Sequence, residues 1–587
     1  MKKKTFAMLI ASIAMMSSCT ADDPFSDLGY GDDNNWNNDG TSGSISTGGS
    51  STTTGDLTTF AVTIDQTTAE PATTATAYLP DEEDALENNS FTTEIAINLS
   101  NPTAKSESGV EITVSGGHIT ANHGSTKNIC YVLSGTTANG SFTVLGDKKY
   151  EVKLNGASIT NPDSAALNLL SGKRAFVVLA DGTSNSLTDG TSGSQKGALY
   201  CKGKLLFSGS GALSVTGNTN NAIHSADYIV FNQGNNIYAK STANHGIKAN
   251  DGVFINGGVI NVEVSAAAAK GINCESNIFV NGGRTTVITT GDGTYDTDDQ
   301  EAKGAAGIKA DSTFTINAGE LWLKSTGSGG KGINADTDAN FNGGNVYVVT
   351  EGGQYKSNND TSSPKGIKAD GNINITGGTV WVRTNGYNGE GIETKSQLNI
   401  SGGEVACYAY DDAINSKGDM TITGGYVYAQ GKNNDGLDAN GNIYLKGGLV
   451  YAICSGQPEV AIDANTEGGK KLYLTGGTIV AIGGLESGSS LSQSCYQSSS
   501  WSKNTWYTMT VGDNTFSFRT PSSGGSGLVV SAASTPTLQT GTSISGGSSF
   551  FGGLGIAGGT VSGGSSVSLS SYTGGNSMGG CMPGGWH

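Results

Sequence analysis

The stretch from Asn244 to Ala481 decides the fold, because one short phrase recurs along its whole length. A small residue and an aliphatic open it in HGIKAN (245–250), KGINCE (270–275), AGIKAD (306–311), KGINAD (331–336) and KGIKAD (365–370). The same opening continues in EGIETK (390–395), DAINSK (412–417), DGLDAN (435–440) and VAIDAN (460–465). A Gly-Gly and a short β-like run then follow, as in NGGVINV (256–262), NGGNVYV (342–348), TGGTVWV (376–382) and TGGYVYA (423–429). The small residues fall at steps of 25, 36, 25, 34, 25, 22, 23 and 25 residues from Gly246 to Ala461. A period in the twenties with an insertion at each longer step marks a solenoid. Apolar residues alternate with a period of two, which argues for strands rather than helices. Coils this short fit a parallel β-helix, each coil stacked about 4.8 Å above the last.

Working outward, GALYCKG and NAIHSAD carry the series upstream to Gly197 and Ala222, and less regular coils begin near Gly109. Terminal repeats of a solenoid depart from the consensus where they cap the core. The parallel β-helix is therefore expected over residues 109–482, with N-terminal strands over 59–108 in runs such as FAVTID and TEIAINLS. Residues 483–536 read as a capping segment whose hairpin, WSKNTWYTMTVGDNTFSFRT, covers the last open edge. Residues 537–587 read as a Gly/Ser-rich tail of irregular coils or disorder.

At the other end, three lysines, an apolar run from Phe6 to Met16 and Ser17-Ser18-Cys19 read as a lipoprotein signal peptide over 1–18. Cys19 would carry the lipid, and Asp22-Asp23 behind it resembles an export signal of surface lipoproteins. The expected address is the cell surface, on the outer membrane, with the membrane met only through the anchor. Residues 19–58 hold almost no aliphatics and read as a disordered tether. The net charge of −18 argues against nucleic acid as a partner. Seven further cysteines form no CxxC pair, so neither a disulfide framework nor a zinc site is expected.

Alignment of the coils turns positions into columns. The aliphatic column, Ile247 to Ile462, must be interior. A column of Asn and Asp (Asn250, Asp311, Asp336, Asp370, Asn440, Asn465) reads as turn chemistry. The third position after each Gly-Gly points outward and brings Trp322, Tyr347, Trp381, Tyr428 and Tyr451 into one row. As an exposed stripe, that row offers flat faces to sugar rings; the alternative is that the rings pack on one another or beneath loops.

Beside the interior aliphatic the charge changes sign along the chain. Lys248, Lys309 and Lys368 give way to Glu393, Asp438 and Asp463, flanked by Glu390, Asp411, Asp412 and Asp435. Carboxylates one coil apart repel unless a cation lies between them, and an all-oxygen face suits Ca²⁺. A solvated acidic surface is the alternative. A second acidic group, Asp292, Asp296, Asp298 and Asp299 in the first insertion, is a further candidate for calcium, although it lacks EF-hand order.

The paired acids of DDAI (411–414) resemble those of β-helical polygalacturonases. The histidine such an enzyme needs downstream is missing, since none lies between His245 and His587. Lys417 or Lys432 could serve a lyase as base, but nothing in the sequence activates either one. No catalytic residue is assigned.

The ordered series YVLSGTTANGSFTV, EVKLNGASIT, AALNLLSGKRAFVVLADG, HGIKANDGVFINGGVI, DDAINSKGDMTITGGYVYAQG and DGLDANGNIYLKGG resembles a family of bacterial surface proteins with a carbohydrate-binding β-helix. The resemblance covers about residues 110–535. It implies an all-β, right-handed parallel β-helix, similar in fold to calcium-dependent pectate lyases. It also implies Ca²⁺ sites and binding of pectin- or cellulose-like polysaccharide without catalysis. The acids that match its late coils are Asp411, Asp412, Asp435, Asp438 and Asp463. Lysines and His245 in the early coils depart from its acidic pattern. The expected protein is a lipid-anchored polysaccharide binder; a structural adhesin or a pectin lyase are the competing readings.

Overall fold

The computed structural model describes Leu57, residues 59–72 and residues 76–574. The signal peptide, Cys19 and all of the expected tether except Leu57 lie outside the described residues. Within them the chain is a parallel β-solenoid of about 15 turns. A regular coil has three strands, such as Lys365–Ala369, Ile373–Ile375 and Thr379–Thr384. These define three faces, called 1, 2 and 3 in that order. Face 1 is a 16-stranded sheet, while faces 2 and 3 join into a 29-stranded one because strands such as Ile278–Thr289 bend through both.

The register is the one the repeat demands. Ile223, Ile247, Ile272, Ile308, Ile333, Ile367, Ile392, Ile414, Leu437 and Ile462 pair in succession along face 1. All are fully buried in one continuous core, each contributing about 1.5–3 kcal/mol. The small residue before each aliphatic is required by space: a Cβ on Gly366 would meet Val382 Cγ1 at 2.2 Å. The second glycine of each Gly-Gly turns the corner into face 3. At Gly378 φ is +76°, and a Cβ there would lie 2.4 Å from the Gly344 carbonyl one coil below. The six described cysteines beyond Cys19 are buried and unpaired, Cys274 and Cys407 among them as core residues.

Face 1 begins with the antiparallel strands Lys105–Glu107, Val110–Ser115 and Gly117–Asn122. At the far end of face 3, Leu528–Ser531 pairs antiparallel with Thr478–Ile482 and closes the open edge. The hairpin Trp506–Val511 with Asn514–Arg519 forms as expected, but at the centre of a six-stranded antiparallel sheet. That sheet lies along the outside of face 3. The segment expected to be irregular after residue 536 supplies four of its strands, Thr537–Ser545, Ser548–Phe550, Gly555–Ala557 and Thr560–Ser566.

The N-terminal segment corrects a second expectation. TEIAIN is a strand, Thr93–Asn98, but FAVTID has no ladder partner. Leu57, residues 59–72 and residues 76–92 instead lie as a strap that runs backward over the solenoid. Phe60 packs on Tyr347 and Trp381, Glu70 accepts the Gly258 and Gly234 amides, and Tyr78 stacks on Phe254 and Phe279. Buried Asp84 then pairs with Arg174 (2.7 Å), and Phe91 meets Phe176 before the first coil starts. Leu57, placed by sequence in the tether, is fully buried.

Candidate functional site

The aromatic row forms in the expected register, Trp322 on Tyr347 on Trp381, then Ala406, Tyr428 and Tyr451. Its side chains leave the coil outward, yet they are only 0–6% exposed. The expected open stripe is therefore corrected. Phe60 meets Tyr347 and Trp381 edge-on at 6.3 and 6.1 Å, with its carbonyl held by Arg383 Nη2 at 2.6 Å. Further along, the six-stranded sheet sets Phe551 on Tyr428 and Phe518 on Tyr451. Within the row, Trp322 stacks on Tyr347 at 4.0 Å. The indole N–H groups are satisfied too, Trp322 donating to Glu320 (3.2 Å) and Trp381 to Glu404 (2.9 Å). An apolar row on an outer face leaves water at about 25 cal/mol per Å², and here the same chain supplies the cover. It is a second core.

The charged columns of face 1 flank the interior aliphatic column and are half-buried to buried. On the near side of the interior aliphatic lie His245, Lys270, Lys331 and Lys365, then Glu390, Asp412 and Asp435. On the far side lie Lys248, Lys309 and Lys368, then Glu393, Asn415, Asp438 and Asp463. The sign changes between two adjacent coils, where Lys365 faces Glu390 and Lys368 faces Glu393. Lys365 joins the halves, with Nζ 2.7 Å from Glu390 and 3.2 Å from Glu393. In the basic half the far-side lysines are matched locally, Lys248 with Glu275 and Lys309 with Asp311 and Asp336, while Lys270 and Lys331 donate to carbonyls. Part of the Asn/Asp turn column thus serves as counter-charge.

Past the boundary, no ion pair among the described residues reaches Asp412, Asp435, Asp438 or Asp463. Asp412 accepts the Asp435 amide (3.1 Å) and an N–H of Asn415 (3.1 Å), and Asn415 also donates to Asp438 (3.0 Å). Asp435 accepts the Val460 amide at 2.8 Å. Carboxylate oxygens of Asp435, Asp438 and Asp463 lie within 4.8 Å of one another. Burial, then the charges of Asp412 and Asp463, pushes Asp435 up to about 9. Burial with Asp438 and Glu390 nearby lifts Asp412 to about 8, and burial with Glu390 and Glu459 nearby lifts Asp438 to about 6. Asp463 is raised by burial and by its hydrogen bond with Glu486. Without a cation, Asp412, Asp435 and Asp463 hold protons at neutral pH, while Asp438 is mostly ionised.

Asn415 Oδ1 and Glu390 Oε2 are buried without a hydrogen-bond partner, two further oxygens in the same group. A donor set made only of oxygen suits a hard cation of the calcium type, not zinc or copper. The residues present therefore fit Ca²⁺.

The insertion acids come out differently. They sit on the hairpin Thr294–Asp296 with Glu301–Lys303, and Lys303 Nζ reaches Asp296 at 2.8 Å and also contacts Asp299. Asp292 accepts both the amide and the hydroxyl of Ser328. An ammonium thus stands between Asp296 and Asp299 and lowers their mutual repulsion. Asp298, an exposed residue, donates only its amide to Asp296.

Sequence reasoning passed over two residues beside the acids. Tyr387 and Tyr410 stand at the exit of face 3, directly before Glu390 and the Asp411-Asp412 pair, with ring centroids 5.4 Å apart. Their position outside the Gly-Gly columns hid them, although their spacing of one coil was available in the sequence.

Set beside known proteins, the chain matches the family described as carbohydrate-binding domain-containing protein over residues 106–268, 237–406 and 382–436. A protein of that description from Acetivibrio thermocellus is 31% identical over 120 residues, 19% of this chain. The matched part spans 42% of that relative's length. A solved structure, described as the polysaccharide lyase-like protein from C. thermocellum in a gadolinium derivative, is 22% identical with a TM-score of 0.33. The match covers 43% of this chain and 93% of that one.

Proposed function

The chain belongs to the carbohydrate-binding domain-containing family, and on that ground we propose that it is a cell-surface lipoprotein that binds a pectin- or cellulose-like polysaccharide without catalysis. Cys19 carries the lipid, and the chain is displayed on the outer membrane. The late half of face 1 holds Ca²⁺ through Asp435, Asp438 and Asp463, with Asp412 and Asn415 completing an oxygen shell. When bound, the ion neutralises the clustered carboxylates and offers open positions to sugar oxygens.

The observation that carries this reading is the group of Asp435, Asp438 and Asp463, in register, half-buried to buried and without a basic partner among the described residues. Buried carboxylates without a counter-charge are costly, and a surface that keeps them calls for a cation. The non-catalytic part is supported by the family, which is described by carbohydrate binding.

A glycan array probed in calcium and in chelator tests the proposal. Binding in calcium that drops in chelator is the expected result. Binding to no glycan in either condition overturns it, and release of unsaturated sugar from polygalacturonate overturns the non-catalytic part.

A further inference from the structure

Tyr387 is 58% exposed, the most exposed large apolar side chain among the described residues. The other exposed one, Tyr78, is stacked on two phenylalanines of face 2, whereas Tyr387 has only Tyr410 beside it, at 5.4 Å and 59°. One coil further, Lys432 Nζ stands 5.5 Å from the Tyr410 ring centroid. No carboxylate pairs with Lys432 among the described residues, although it lies on the acidic side of the molecule. Two half-open phenol rings and an unpaired ammonium thus follow one another along the axis, at the coil spacing of about 4.8 Å.

Their place matters as much as their exposure. Tyr387 lies three positions before Glu390, Tyr410 two before Asp412, and Lys432 three before Asp435. That is at most about 10 Å of backbone, so this ridge borders the carboxylate group along its length. Aromatic faces take the C–H side of a pyranose, and an ammonium takes a sugar carboxylate.

We propose that Tyr387, Tyr410 and Lys432 form a subsite for two consecutive residues of an acidic polysaccharide lying along the solenoid axis. One sugar ring stacks on the tyrosines, and the carboxylate of its neighbour meets Lys432. The subsite rests on the polysaccharide-binding reading above, selects the uronate-containing of the two polymer kinds named there, and adds the residues that meet it and an orientation. It also moves sugar stacking from the aromatic row of face 3, which is covered, to a ridge that is open.

The full chain run through calcium-containing native gels cast with polygalacturonate or with hydroxyethylcellulose tests this. Tyr387→Ala is expected to weaken retardation by polygalacturonate about tenfold, with Tyr387→Trp retaining it. Lys432→Gln is expected to weaken retardation by polygalacturonate and not by hydroxyethylcellulose. Because Tyr387 is largely exposed, the thermal melt of Tyr387→Ala should match that of the native chain. Native-like retardation of Tyr387→Ala overturns the subsite while leaving polysaccharide binding intact. Equal loss on both polymers for Lys432→Gln overturns the carboxylate assignment. A native chain retarded by neither polymer overturns the reading beneath it, and the subsite with it.

Discussion

Two rows run along this solenoid, each one residue wide and one coil per step, and they meet opposite fates. The aromatic row of face 3 is sealed by the strap around Phe60 and by the C-terminal sheet around Phe518 and Phe551. The carboxylate row of face 1 keeps an open flank. Both rows point out of the coil, so direction alone does not decide exposure. An apolar row gains by being covered, at a few kcal/mol for each large ring, whereas covering a carboxylate row requires its charges to be paired.

Face 2 states the same rule within one row. Phe176, Leu206, Val230 and Phe254 lie under Leu79, Leu86 and Phe91 of the strap. Further along, the row becomes Asn340, Asn374 and Asn399, bonded side chain to side chain at 2.9 and 3.0 Å. Over these coils cover and apolarity coincide; the row then reaches Tyr444 and Tyr473, half-exposed and stacked on each other at 5.1 Å.

The strongest way to break the comparison is through its sealed member. If Trp381 belongs to a second core, Trp381→Ala should cost about 3–5 kcal/mol of stability, equally in calcium and in chelator. Denaturant melts measure this. A variant as stable as the native chain that no longer binds glycan would instead return the row to the surface and reverse the distinction drawn here.

Much of this was legible in the sequence, and what was not had a common cause. The period, the interior isoleucines, the Gly-Gly corners and the acidic columns are local signals repeated many times, and repetition fixes register. The strap and the outer sheet occur once and act over long separations: Phe60 meets Trp381, and Phe551 meets Tyr428. Their own patterns were visible nonetheless. Tyr507, Met509, Phe516 and Phe518 alternate with polar residues on a hairpin, so one of its faces needs an apolar partner. An outward row of tryptophan and tyrosine is such a partner. At the first insertion Lys303 reaches back across its own hairpin to Asp296, a contact that composition does not reveal.

The open member is sharpened next, with a smaller effect. Asp438→Asn removes a ligand and a like charge together. In calcium at about a hundredfold excess over its Kd, the native chain should gain about 2.7 kcal/mol from binding, and the variant should lose most of that gain. In chelator the variant should equal or exceed the native chain, because Asn cannot repel Glu390. Differential scanning fluorimetry in the two buffers reads both signs. Equal destabilisation in both would make Asp438 a packing residue.

The smallest expected effect separates the two halves of face 1 by pH. In chelator, Asp412 and Asp435 titrate near 8 and 9 when folded, against about 4 for an unfolded aspartate. The folded state therefore holds more protons in that window, and stability falls as pH rises through it. Lys331, beneath the second insertion in the basic half, is displaced the other way. Burial, then the charges of Lys368 and Lys270, brings it down to about 7. Above that pH the unfolded chain binds the extra proton, so Lys331 makes stability rise up to about pH 10. Calcium should abolish the fall by keeping the aspartates ionised. Lys331→Met should abolish only the rise. Melts across that range in calcium and in chelator would show the two trends separately; a fall that persists in saturating calcium would mean that the cation does not neutralise these carboxylates.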